Sequence, residues 1–135
     1  MDPRCIPERI FNLDAGEVAV HRNAGGNIRD TLRDINILDT LVKLKEILII
    51  HHTDCGTLHV TDEQIRARLK TYVDKDNWAD ITKMNFGANT NIEESVRGDL
   101  EWFRANPLVR EELKQGCQGF VYDIKTGELK KVETV

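Results

Sequence analysis

Apolar residues follow two rhythms along this chain of 135 residues: a recurrence at three and four, and short unbroken runs. From Asn27 to Lys45 the positions Ile28, Leu32, Ile35, Leu38, Leu41, Val42 and Leu44 keep the first rhythm, which gathers apolar side chains on one face of a helix. Asn27 or Asp30 is placed to cap its start. The run Ile47-Leu48-Ile49-Ile50 follows, with charge before it and His51-His52-Thr53-Asp54-Cys55-Gly56 after it. Such a run predicts a strand over 46–51 buried on both faces, as inside a parallel sheet.

Elsewhere the same patterns predict further elements. Thr61-Asp62-Glu63-Gln64 reads as a cap with an acidic first turn, opening a helix through Ile65, Leu69, Tyr72 and Val73 that ends near Lys75. Residues 76–90 are long for a loop and leave room for short helices around Trp78, Ile81, Met84 and Phe86. Ile92, Val96, Leu100 and Phe103 form the stripe of a helix over 91–105, and 108–114 is a last short helix closed by Gly116. Two strands, 119–124 and 129–132, flank the turn Lys125-Thr126-Gly127-Glu128 as a hairpin.

At the other end, Met1–Pro7 is irregular, 8–13 a helical turn, and 17–21 a short strand. Gly25-Gly26 after it permits a sharp turn and close approach of backbone to another segment. Strand 17–21, helix 27–45 and strand 46–51 would make one βαβ unit. The whole predicts an α/β fold: a Rossmann-like, mostly parallel sheet with flanking helices and a C-terminal β-hairpin, in a single domain over residues 1–135.

Hydrophobic content of 40%, charged content of 31% and a net charge of −4 suit a globular protein and give no basic surface for nucleic acid or membrane binding. No apolar run approaches the ~18 residues of a membrane span. Three scattered cysteines, Cys5, Cys55 and Cys117, argue against a disulfide framework and for a reducing, cytoplasmic setting. Cys117 has no His or second Cys near it and reads as a buried thiol.

The chemistry is concentrated after the second strand. Open α/β sheets bind ligands beyond the carboxyl ends of their strands, where His52 and Cys55 fall. Three apart on a tight turn, an imidazole and a thiolate can share one zinc ion at roughly 2.0–2.3 Å. A strand-end histidine bonded to backbone and an ordinary buried thiol would give the same local pattern. His51 is expected to face away from His52 and to pack or bond backbone. Asp54 is expected to bond amides of its own turn, and His59 to lie at the surface, with a proton shuttle as the alternative. Trp78, Phe86, Trp102 and Phe103 read as core or subunit contact. Gly25-Gly26 lacks the fuller Gly-x-Gly-x-x-Gly pattern of a nucleotide site.

Taken together, Arg22-Asn23-Ala24-Gly25-Gly26, His51-His52-Thr53-Asp54-Cys55-Gly56 and Val121-Tyr122-Asp123-Ile124-Lys125-Thr126-Gly127-Glu128-Leu129 resemble the β-class carbonic anhydrases, the branch that includes carbonyl sulfide and carbon disulfide hydrolases. The resemblance implies zinc-dependent hydration of CO2 to bicarbonate, with His52 and Cys55 as metal ligands and a homodimer or larger homo-oligomer as the assembly. In that family a Cys-x-Asp-x-Arg motif supplies another ligand. Met1-Asp2-Pro3-Arg4 matches its last four positions, so Asp2 and Arg4 correspond to the family's catalytic Asp/Arg pair, while the Cys would fall one position before Met1. The family's first strand is likewise absent from this sequence. The resemblance leaves the remaining ligand open between Cys5, Asp2 and a Cys ahead of Met1. It leaves the function open among an impaired carbonic anhydrase, a metal-free dimeric relative, and a hydrolase of carbonyl sulfide or carbon disulfide.

Overall fold

The structure is a computed structural model and describes residues 1–134. In chain order its elements are helix α1 (Pro7–Ile10), α2 (Leu32–Val42), strand β1 (Ile47–His52), α3 (Asp62–Leu69), α4 (Trp78–Lys83), α5 (Ile92–Ala105), α6 (Glu111–Gln115), β2 (Cys117–Tyr122) and β3 (Leu129–Val132). The strands form one sheet in the order β1-β2-β3. β1 and β2 run parallel, from Ile47 opposite Cys117 to His52 opposite Tyr122, and β2 pairs antiparallel with β3. Parallel neighbours need a long crossover, and here residues 53–116 with α3 to α6 provide it. No helix among the described residues is long and apolar enough to cross a membrane.

Helix α5 is the platform on which the sheet rests. Asn91 Oδ1 accepts from the amides of Glu93 and Glu94 at 3.1 and 3.2 Å, satisfying the free donors of its first turn. Its stripe buries Val96, Leu100 and Phe103, each 0–1% exposed, against Ile49, Leu113, Cys117, Val121 and Val132. Helix and strand touch because residue 119 is glycine: a Cβ there would lie 2.5 Å from Val96 Cγ1 and 2.6 Å from Leu100 Cδ1. Arg104 Nη2 adds a bond to the Cys117 carbonyl, 2.8 Å.

The predicted helices form, with shifted ends. Helix 27–45 divides into a 3-10 turn at Arg29–Thr31 and α2, and Lys43 ends it at a left-handed φ of 51°. Neither Asn27 nor Asp30 caps α2. Asn27 Oδ1 accepts from the Arg29 amide at 2.9 Å, and the Thr31 hydroxyl donates to Asn27 O at 3.1 Å. Thr61 and Gln64 form the expected cap of α3 as a reciprocal box, with bonds of 3.2 and 2.9 Å. α3 stops at Leu69, short of Lys75. Asp62 then accepts from the amides of Phe86 and Ala88 at 3.1 Å each, fastening the 76–90 region, which holds α4, onto α3.

Two expectations are corrected. Residues 17–21 are not a strand: every one is exposed, and no backbone ladder engages them among the described residues, so the βαβ unit through 17–21 does not form. A strand exists only where a neighbour takes its amides and carbonyls. β1, in turn, is not buried on both faces. Ile49 and His51 are 3% and 4% exposed while Leu48 is 45% exposed, because β1 is the edge of this sheet and has cover from α5 on one face only.

Candidate active site

Strand alternation assigns the two histidines to opposite faces. His51 points under the sheet, where Nε2 lies 3.2 Å from Gly26 O and 3.3 Å from Asp99 Oδ2. Asp99, 5% exposed on α5, also accepts from the Ile28 amide at 3.2 Å. Arg29 Nε stands 3.6 Å from its other oxygen, and the Arg29 guanidinium lies 5.7 Å from the Trp102 ring centre. The Gly25-Gly26 turn presses onto this pair at φ of 75° and 71°. A Cβ on Gly26 would come within 2.8 Å of His51 Cδ2 and 2.9 Å of Ile50 O, which is the close approach those glycines predict.

His52 faces the other way. Its Nδ1 donates to Thr53 O at 2.8 Å, an assignment that follows because a carbonyl can only accept. A neutral His52 then carries its lone pair on Nε2, which lies 3.8 Å from Asp2 Oδ2. Beyond Thr53 the chain turns through Asp54 at φ 55°, a left-handed conformation that Asp and Asn tolerate. The turn brings in Cys55, 9% exposed, with Sγ 3.2 Å from Thr57 Oγ1.

Asp2 and Arg4 reach the same place from the opening segment. Arg4 donates from Nε to Asp2 Oδ1 at 3.0 Å and from Nη2 to Oδ2 at 2.6 Å, a two-pronged pair, and its amide adds a third bond at 2.8 Å. The Arg4 side chain and then its amide hold the Asp2 carboxyl well below the usual carboxylate range. The segment is tied down by Arg22, which donates to the carbonyls of Asp2 and Cys5, and by the terminal amine, which donates to Asn23 O at 2.9 Å.

Asp54 departs from its expected role. Rather than bonding its own turn, it accepts from Arg4 Nη1 on Oδ2 at 2.8 Å and on its main-chain oxygen from Nη2 at 3.1 Å. His59, largely exposed as expected, lies 3.2 Å from Asp54 Oδ1. Cys117 is fully buried at the start of β2, and that burial pushes its thiol up to about 12. Phe103 is core, while Trp102 is only partly buried against it. The sequence reading missed the His51–Asp99 pair. Its one signal was a carboxylate set among Val96, Leu100 and Phe103 on an apolar stripe.

The donors suit zinc in kind: an imidazole with a fixed tautomer and a buried thiol are both zinc ligands. They are fewer than a catalytic zinc takes, because no group of three or more His, Cys, Asp or Glu able to hold a metal forms among the described residues. Neither Cys5 nor Asp2 therefore completes a three-donor set in this arrangement, and both Asp2 oxygens are engaged by Arg4.

With this geometry in place, comparison with known proteins assigns the class. Residues 1–129 match the carbonic anhydrase family, and the chain belongs to it. It is 31% identical to beta-carbonic anhydrase 1 of Mycobacterium tuberculosis over 98% of this chain and 77% of that protein. It is 28% identical to a carbon disulfide hydrolase of Acidithiobacillus thiooxidans over 93% of this chain and 73% of that one. Among solved structures, a carbonic anhydrase from Glaciozyma antarctica superposes with a TM-score of 0.89 at 30% identity, covering 98% of this chain and 78% of its own. One from Streptococcus mutans gives 0.86 at 32%, covering 98% and 77%. The α/β fold is thus that of the β-carbonic anhydrases.

Proposed function

We propose that the chain hydrates CO2 to bicarbonate with a zinc ion held by His52 and Cys55, and that Asp2 and Arg4 are its catalytic pair. The observation that carries this reading is that His52 Nε2 and the Arg4-locked Asp2 carboxylate lie 3.8 Å apart at the carboxyl end of β1. Bound zinc would supply an acidified water, lowering its pKa from about 15.7 towards neutrality. The chain's own residues do the rest. Asp2, held as a carboxylate by Arg4, is the acceptor that would take a hydrogen bond from a water at this site and orient it towards the substrate carbon. Arg4 occupies both Asp2 oxygens, so the carboxylate does not turn onto the metal in place of water. The Nδ1–H bond to Thr53 O fixes the tautomer of a neutral His52, so that Nε2 is the nitrogen it would offer a metal.

Two donors hold zinc more weakly than three, so impaired affinity and reduced activity accompany this reading unless a further donor joins. A small linear substrate with sulfur in place of oxygen is the second reading, favoured by the carbon disulfide hydrolase relative. The exposed apolar side chains Ile37, Leu41 and Val42 on α2 and Leu48 on β1 support self-association into a homodimer. The free cysteines support a reducing cytoplasm.

The test is zinc content of the purified protein together with stopped-flow CO2 hydration and sulfide release from carbon disulfide. Zinc uptake that disappears in His52→Ala and Cys55→Ala, with hydration above background in the parent, supports the reading. Failure to take up zinc supplied in excess would mean a metal-free relative. Sulfide release outpacing hydration would move the substrate to the sulfur analogues.

A further inference from the structure

Arg4 is held on two sides. Asp2, two residues away, takes Nε and Nη2, while Asp54, fifty residues away, takes Nη1 at 2.8 Å and Nη2 at 3.1 Å. A guanidinium is a planar fork, so bonds on two edges fix its orientation as one edge cannot. Asp54 makes both of its bonds because its backbone is left-handed at φ 55°, which turns carbonyl and carboxylate toward the same guanidinium. Most side chains are strained in that conformation, whereas Asp, Asn and Gly accept it.

We propose that Asp54 is a positioning residue for the hydration reaction: it anchors the Arg4 guanidinium to the turn between His52 and Cys55, and through Arg4 fixes the Asp2 carboxylate. This rests on the reading that Asp2 and Arg4 serve catalysis. Asp54 itself touches neither substrate nor metal. Its effect is to bind the opening segment to the turn that carries both metal ligands, so that acceptor and ligands keep one relative geometry. With Asp54 neutralised, Arg4 stays paired with Asp2 but the pair is free to swing together, and Asp2 can close the 3.8 Å to His52 Nε2. His59, which bonds the other Asp54 oxygen, steadies the carboxylate from the solvent side.

Asp54→Asn and Asp54→Gly both retain the left-handed turn, and the thermal midpoint establishes that each folds. The expected result is a fall in kcat of about ten-fold with KM and zinc content within about two-fold, the size of one charge-assisted hydrogen bond. In an Arg4→Gln background the same substitutions should change kcat by less than about two-fold, since the anchor has nothing left to hold. A second readout needs no activity: the Arg4 Nη1 protons, which Asp54 takes, should exchange slowly with solvent in the parent and rapidly in Asp54→Asn, while Nε–H, held by Asp2, changes little. Additive losses in the Arg4→Gln background, or Arg4 Nη1 protons equally protected with and without Asp54, would overturn the proposal. A parent that binds no zinc yet loses that protection on Asp54→Asn would refute the enzymatic reading and leave the anchoring of Arg4 standing.

Discussion

His51 and His52 are neighbours on one strand, and the fold puts them to opposite uses. His51, 4% exposed, shares its Nε2 between the Gly26 carbonyl and the Asp99 carboxylate beneath the sheet. His52 commits Nδ1 to the adjoining carbonyl and leaves Nε2 facing Asp2. A single step in register separates a side chain that fastens α5, the glycine turn and β1 together from one free to take a ligand. Local sequence does not tell two histidines apart. The face of the strand does, because α5 covers one side and not the other.

The sharpest way to break the comparison is to remove each histidine's chemistry in turn. His52→Ala should lower CO2 hydration by about a thousand-fold or more through lost metal, while the denaturant midpoint barely moves; an active His52→Ala protein would put the ligand elsewhere. On the opposite face the outcome reverses. Asp99→Ala leaves the Ile28 amide without its acceptor and His51 with the Gly26 carbonyl alone, and should cost about 3 kcal/mol in chemical unfolding with zinc affinity in the surviving folded fraction preserved. Gly26→Ala sharpens the same point from the backbone side. Its added methyl meets His51 and Ile50 O at under 3 Å with φ at 71°, and a loss of roughly 2 kcal/mol is expected by urea titration.

The smallest effect concerns pH and lies deeper under the same face. Burial raises the Cys117 thiol from 9 to about 12. The unfolded chain therefore ionises first as pH rises, and the stability this neutral thiol contributes is complete below pH 9 and lost progressively between 9 and 12. Unfolding free energy should fall by roughly 1.3 kcal/mol between about pH 8 and 10 from this group, and Cys117→Val should flatten that part of the curve. A slope unchanged by the substitution would mean that the thiol already meets solvent.

The parts of the fold legible in the sequence were those whose periodicity is local. The stripe of Ile92, Val96, Leu100 and Phe103 became α5, the Thr61–Gln64 box opened α3, and Thr126-Gly127 turned the hairpin, with Gly127 at φ 78°. Residues 17–21 carry a strand-like composition but remain unpaired among the described residues, because a ladder depends on a neighbour that local pattern cannot supply. β1 misled in a related way: four aliphatic residues in a row do not say how many faces will be covered. At the site, His52 and Cys55 stood out by spacing, and Asp2 and Arg4 by resemblance alone. The Arg4–Asp54 contact spans fifty positions and left no local mark except the Asp at a tight turn. Asp99 did leave one, as a charge at a position its helical stripe reserves for the core.

The absent side chain at Gly119 reaches further than its own contact. With α5 resting directly on β2, the distance from helix to sheet equals the thickness of a bare backbone, and Asp99 projects from that helix at the height where His51 hangs from the neighbouring strand. One extra methyl at 119 would lift the whole helix like a shim under a beam and pull the carboxylate away from its imidazole. The reach of a buried carboxylate–imidazole contact is thus gauged two residues and one strand away, by an atom the chain leaves out.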